Sequence, residues 1–446
     1  MADNRTFRTG SGPSLGMRGT GSWTEAEQPD SYRKGILYLY PNGAAPLTAL
    51  TAKARNVKED NAHFHWFTKT LPAVGYAVGG VYTDPDLQVG NAYAPGTDAA
   101  DGTVVHVQVS LEAATMTRVG HTVLLRQAAA GAVPTDHSND VVGLVVNVQR
   151  TNDATSSIAV RLLQADGTGN SDLSDCNRFI IMGNSNPEGG SRPAMVSSNA
   201  VEWSNYMQIW RTPWGITETQ RRTAGQRIGD IEKQLKREAM EDHSIQIEQS
   251  LIWGRFGWEI GNNGQPQRTT RGIVPFIQSA APTHVVDFAR DANYAGAAWV
   301  DVGKEWFDAQ IYESFRLGKT MDRLVFCGGR AMSAIQRMVE ANSMYQISQG
   351  ESKYGIKVVT LETVHGNWHF KKHPLFAFES STENSMLVIE PENIEFRYLR
   401  DTMMRKNIQN PDTDGEQHEF LTEAGLALYH PELFMYLSNV GVDNVV

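Results

Sequence analysis

His365, His369 and His373 recur every four residues, a spacing that on a helix would set three rings on one side, ready for a metal ion. Gly366, Trp368, Phe370 and Pro374 between and after them favour a hairpin instead. There a period of four does not converge the rings, so no metal is expected. His63 and His65 flank Phe64 on a short alternating strand without a Cys or Glu partner motif, and read as surface histidines. Asp412-Thr413-Asp414-Gly415-Glu416 resembles the start of a calcium loop, with Glu423 at the twelfth position. The intermediate ligand pattern and an entering helix are missing, so a plain loop is expected. Gly328-Gly329, between an apolar run and a helical pattern, is the best candidate for a catalytic or phosphate-binding turn, because helix N-termini attract anions. A tight strand-to-helix connection uses two glycines anyway. No G-x-S-x-G, H-E-x-x-H, C-x-x-C or Walker sequence occurs, and the chain reads as having no catalytic residue, cofactor or metal.

The bulk properties narrow the classes further. The 446 residues suffice for two to four domains. Lys and Arg number 40 against 50 Asp and Glu, a formal net charge of −10, which argues against a dedicated nucleic-acid binder. Cys176 and Cys327 lie far apart in sequence and suggest a reducing compartment without a disulfide framework. No apolar run of about 18 residues predicts a membrane span, and the segment MADNRTFRTGSG has no apolar signal core. The expectation is a soluble, acidic protein, intracellular when made.

The element that must position everything else is the stretch Thr217 to Gly254. Thr217 and Gln220 form a capping box. Ala224, Ile228, Ile231, Leu235, Ala239, Ile247 and Leu251 follow at helical spacing. The pattern predicts one helix from Arg221 to Trp253, roughly 50 Å long at 1.5 Å per residue, stopped near Gly254 and Gly257. Upstream, residues 1 to 22 carry five glycines with Arg5, Arg8 and Arg18 and read as a flexible arm, since they cannot bury enough apolar surface to offset ordering. From Gly75 to Asp175 short alternating runs (Val105/Val107/Val109, Val123 to Leu125, Val142 to Val148, Ile158/Val160/Leu162) are divided by turn residues. They predict a small all-β sandwich or barrel, with eleven Asp or Glu, four Arg and no Lys, inserted between flanks that belong together. Arg178 to Met182 is a further short strand. Downstream, Ile273 to Ile277 reads as a strand or short turn. Trp306, Phe307, Ile311 and Phe315 mark a helix, Leu324 to Cys327 a buried strand, and Ile335, Met338 and Val339 a second helix. Strands are expected at Ile356 to Leu361, Trp368 to Phe370, Met386 to Ile389, Ile394 to Tyr398 and Phe420 to Leu428.

This order of parts resembles the major capsid proteins of tailed bacteriophages, with their Hong Kong 97-type fold. The residues that carry the resemblance are Thr223 to Gly254, with Glu248 and Gly254 near the helix end, then Thr269 to Ile273 (TTRGI), and Tyr354 to Val358. Thr363 to Gly366, His373 to Leu375, Leu387 to Ile389, Arg400-Asp401 and Glu419 to Tyr429 complete it. The resemblance implies an α+β fold with an inserted small β-sandwich or barrel. It places an N-terminal arm at 1–60, an extended-loop region at 61–75 and 176–216, and the inserted β-domain at 76–175. A peripheral domain with the spine helix follows at 217–290, an axial domain at 291–395, and returning peripheral strands at 396–446. It further implies a shell subunit forming pentamers and hexamers, located in the virion capsid and assembled in the host cytoplasm. Subunit interfaces are expected at Arg5, Arg8, Arg18, Trp203, Trp210, Trp214 and Arg330. Portal protein, a separate scaffold protein and a decoration protein are implied partners, with packaged double-stranded DNA held only weakly and no membrane.

One departure from that family stands out. Some members lock their shell by an isopeptide bond from a Lys on the extended loop, and no lysine occurs between Lys69 and Lys233. No such cross-link is expected. An encapsulin-type compartment shell is the alternative of similar fold, disfavoured by chain length and the β insertion. A soluble enzyme using Gly328-Gly329 with His365 or His369 is the alternative from another class.

Overall fold

The computed structural model describes residues 55–69, 75–94, 99–128, 136–165, 173–189, 193, 195, 199–223, 231–318, 320–341, 346–353, 356–377 and 379–445. The chain divides into two compact units, Lys69–Val201 and the flanking Met1–Thr68 with Glu202–Val446.

The first of these is a closed six-stranded antiparallel barrel. Its strands run Gly75–Tyr82, Val104–Val109, Ser157–Leu162, Asp136–Gln149, His121–Gln127 and Arg178–Asn184 around the circle. Strict alternation drives closure: Val105, Val107, Val123, Leu125, Ile158, Val160 and Phe179 are completely buried inside, while their neighbours face out. Closure removes the sheet edges an inserted domain would otherwise expose. At Gly143 an added Cβ would stand 2.2 Å from Val160 Cγ1, so the close approach of two strands there needs glycine.

The flanking unit holds two sheets. A four-stranded sheet has the order Arg55–Lys58, Ile394–Arg405, Glu416–Leu428, Gln208–Ile216, its first pair parallel and the others antiparallel. Alternation in Gln208–Ile216 turns Trp210, Thr212, Trp214 and Ile216 inward, toward the helix Ile231–Trp253. The seven-stranded sheet has the order Val285–Asp287, Met435–Ser438, Met386–Ile389, Asp322–Cys327, Asn367–Lys372, Ile356–Glu362, Gln346–Lys353. One face buries Val325, Phe370 and Val388 against Trp306, Phe307 and Ile311 of helix Trp299–Arg316 and Ala331, Ile335 and Met338 of helix Gly329–Ala341. Its other face contributes Leu324, Phe326 and Leu387 to a core shared with Ile247 and Leu251 of the long helix and with Ala424 and Leu426 of the four-stranded sheet.

Several expectations are corrected. Thr217 does cap a helix, its Oγ1 accepting from Gln220 N at 3.3 Å, but that helix is only Glu218–Arg222, and Thr223 is extended (φ −80, ψ 120). The helix from Arg221 to Trp253 is therefore not continuous. Ala224 and Ile228 lie outside the described residues, and Ile231–Trp253 spans about 35 Å at 1.5 Å per residue. Ile273–Ala280 is an α-helix, not a strand or turn; a short wholly apolar run carries no period, and Pro275 is tolerated in a first turn. The stretch 176–216 is no single loop region. Arg178–Asn184 closes the barrel, Val201–Tyr206 pairs with His63–Thr68, and Gln208–Ile216 belongs to the four-stranded sheet. Of the returning segment 396–446, Met435–Ser438 joins the seven-stranded sheet, because its alternate residues Met435 and Leu437 complete the core beneath the two helices. Within 1–60, Arg55–Lys58 is a strand rather than arm.

Candidate assembly surfaces

The long helix is fixed to both sheets by polar groups that are fully buried. His243, on the same helical face as Ala239 and Ile247, bonds Thr212 Oγ1 through Nδ1 (3.0 Å) and Thr422 Oγ1 through Nε2 (2.8 Å). Burial pulls its pKa below 6.5, so the neutral ring is the one that fits. One turn on, Glu248 Oε1 lies 2.8 Å from His373 Nε2, with both side chains at 0% exposure. His373 stacks on Phe376 (4.8 Å) and meets Phe326 edge-on (5.3 Å). Beyond the helix end, backbone meets backbone: a Cβ on Gly254 would stand 2.6 Å from Thr270 O, and one on Gly272 2.7 Å from Ile252 O. Asn205 binds this corner together. Its Nδ2 donates to Leu426 O (2.9 Å), Thr270 Oγ1 (3.1 Å) and Arg271 O (3.2 Å), and its Oδ1 accepts from the N–H groups of Arg271 and Tyr206 (both 2.8 Å).

The histidines at period four have separate environments. His365 is exposed against Tyr312 (5.4 Å). His369 is buried between Thr360 Oγ1 (2.9 Å) and Asp322 Oδ1 (3.1 Å), and His373 faces Glu248. His65 Nδ1 pairs with Glu202 (2.7 Å), while His63 is only half-buried against Tyr206. Glu423, the twelfth residue of the would-be calcium loop, sits in a strand and accepts from Arg400 Nε at 2.7 Å. Glu232, Glu416 and His418 do approach one another. However, His418 Nδ1 accepts from Asn407 N at 3.2 Å, which leaves the proton on Nε2, the nitrogen a metal would need. At Gly328 an added Cβ would meet Glu383 O at 2.2 Å, and the same carbonyl accepts from Ala331 N (3.2 Å). The helix N-terminus is thus capped by the chain's own backbone. Burial pushes the adjacent Cys327 thiol up to about 12, far from a thiolate nucleophile.

The expected interface residues separate into groups. Arg5, Arg8 and Arg18 lie outside the described residues. Trp210 and Trp214 are buried within the subunit, at 4% and 8% exposure, because strand alternation turns both toward the long helix; neither is open to a neighbour. Trp210 Nε1 donates to Ser250 Oγ (3.1 Å). Trp203 is half-buried, donating to Thr68 Oγ1 (2.8 Å) and edge-on to Phe276. Arg330 is exposed and paired with Glu383 (2.7 Å).

The open apolar surface lies elsewhere, in positions that no sequence period marks. At one end of the seven-stranded sheet, Tyr312, Leu317, Met321 and Val364 are 53%, 55%, 72% and 100% exposed. Two strands, Gly257–Ile260 and Pro266–Thr269, form a separate hairpin carrying Trp258 at 59% and Ile260 at 70% exposure. An isolated two-stranded hairpin is marginal in water, and its root is braced by Phe256 stacked on Tyr206 (4.6 Å) under Arg271.

A profile of the family described as SU10 major capsid protein matches residues 17–441. The major capsid protein of Pseudomonas phage PaMx41 is 24% identical over 369 residues, 83% of this chain and 78% of that one. Among solved structures, the capsid of an empty GTA particle is similar with a TM-score of 0.43 and 9% identity, covering 95% of this chain and 99% of that chain. An encapsulin complex from Synechococcus elongatus is similar over 55% of this chain and 77% of that chain, with a TM-score of 0.37 and 13% identity.

Proposed function

The chain belongs to the SU10 major capsid protein family, a structural and not an enzymatic family, and on that premise we propose that it assembles as pentamers and hexamers into the icosahedral shell around a phage genome. The observation that carries the reading is the family match over 17–441, nearly the whole chain. The surface described above suits it. A subunit whose polar junctions are satisfied internally, yet which leaves Val364, Met321, Trp258 and Ile260 exposed, presents apolar patches of the kind that mark contacts. The exposed end of the seven-stranded sheet is then the part that meets its equivalents around a five- or six-fold axis, and the hairpin a contact between capsomers. A net charge of −10 keeps packaged double-stranded DNA from adhering tightly to the wall. A separate scaffold protein, a portal protein and a decoration protein complete the assembly in this reading, which takes place in the host cytoplasm.

Sedimentation of the purified chain tests it. Wild-type protein should run as multi-subunit rings or shells, and Val364→Asp with Met321→Asp should shift the population to the 49.3 kDa subunit without loss of fold. A wild-type chain that stays monomeric in the presence of its scaffold would count against the proposal.

A further inference from the structure

Acidic residues outnumber arginines by eleven to four between Gly75 and Asp175, and lysine is absent. Arg126 is consumed by a bidentate pair with Asp140 (2.7 and 2.6 Å). The other three, Arg118, Arg150 and Arg161, all line one cleft of about 820 Å³ at the barrel surface, and no carboxylate lines it. Arg150 is held in place by two bonds to the end of helix Leu111–Met116, to Ala114 O (2.9 Å) and Thr117 O (2.8 Å). Arg161 is exposed, with no carboxylate partner among the described residues. Val119 stands at the lip, 55% exposed.

The same barrel carries a feature of matching chemistry. The turn after Gly75–Tyr82 exposes Asp84 and Asp86 and, beside them, Val89 at 90% exposure. Its neck is closed by Thr83 N and Thr83 Oγ1 on Asn91 O (2.8 and 3.2 Å). Leu87 is held at φ 52, a left-handed conformation costly for a branched residue, which fixes the shape of the turn. The turn cannot reach its own cleft. In the antiparallel ladder Gly75 opposes Ile180, so Tyr82 and Asn184 stand at opposite ends, eleven residue steps apart (seven on one strand, four on the other), about 35 Å at 3.3 Å per residue.

The geometry points to a head-to-tail contact between copies of this chain, in which the Asp84–Asp86 turn of one barrel enters the Arg118/Arg150/Arg161 cleft of the next. Opposite charges at opposite ends make a heterologous contact, the kind that propagates around a ring or across a lattice, and electrostatic complementarity fixes its partner and register. The inference rests on the shell reading, and gives the barrel the role of a clasp.

Charge reversal tests it on the full-length chain under conditions where wild type forms particles. Arg161→Glu alone, and Asp84→Lys with Asp86→Lys, should each lower particle yield or salt resistance about tenfold; combining them should restore it. Soluble subunits of each variant should melt at the wild-type temperature, since these side chains are exposed. Single reversals without effect, or no rescue in the combination, would overturn the clasp while wild-type particles still uphold the shell. If instead wild-type particles bind an added poly-glutamate peptide and Arg161→Glu particles do not, with yields unchanged, the cleft serves a foreign acidic partner and the contact between copies is wrong. Failure of wild type to form particles would strike the shell reading itself.

Discussion

At the scale of residues, the subunit is held by a few buried polar contacts with no spare partner. Glu248 and His373 are both fully buried and 2.8 Å apart, so removing either leaves a polar group stranded out of water. Glu248→Ala is expected to destabilise the flanking unit by about 3 kcal/mol, read as a lower urea midpoint with unchanged slope. A midpoint within experimental error of wild type would show that the pair bears no load. Acid should act through a different set. Burial lowers the pKa of His121, His243 and His284 below 6.5. Folding then leaves these rings with fewer protons than the unfolded chain, so stability rises with pH and falls as pH drops below about 6.5, until the folded rings protonate too. Thermal melts from pH 7.5 to 5.0 should show that decline, and His243→Gln should flatten part of it. The sequence held a clue to His243: it stands four residues from both Ala239 and Ile247, on the predicted buried stripe. Asn205 left no such clue, since its five bonds converge from segments more than sixty residues away as well as from its neighbour.

At the scale of elements, legibility followed periodicity. The barrel strands and the strands from Leu324 to Leu428 were readable because half-buried strands alternate and buried ones form short apolar runs. Helix Ile273–Ala280 was not, having apolar residues on every side at its start. Trp210 and Trp214 could have been placed inside by extending the alternation through Ile216; their aromatic type suggested an interface, and their phase decided otherwise. The insertion has a paired stem, His63–Thr68 beside Val201–Tyr206, with Trp203 bonded to Thr68. Replacing residues 70–200 with a short Gly-Ser linker should therefore leave the flanking unit folded, and calorimetry should lose one transition while retaining the other. Loss of all cooperative unfolding would mean the two units are not independent.

At the scale of the whole molecule, the family was legible from the order of parts, whereas the contacts between copies were not, because an exposed Val364 or Trp258 has no pattern to betray it. The lysine-free interval between Lys69 and Lys233 carries a prediction at this scale: particles boiled in detergent should run as the 49.3 kDa chain, and a ladder of covalent multimers would refute it. The central claim is that this chain alone supplies the repeating lattice of a closed shell. Electron microscopy of particles purified after its expression, with scaffold supplied where needed, tests that most directly. Icosahedral shells built from rings of five and six copies are the predicted result. Discrete dimers or open aggregates without such rings would contradict it.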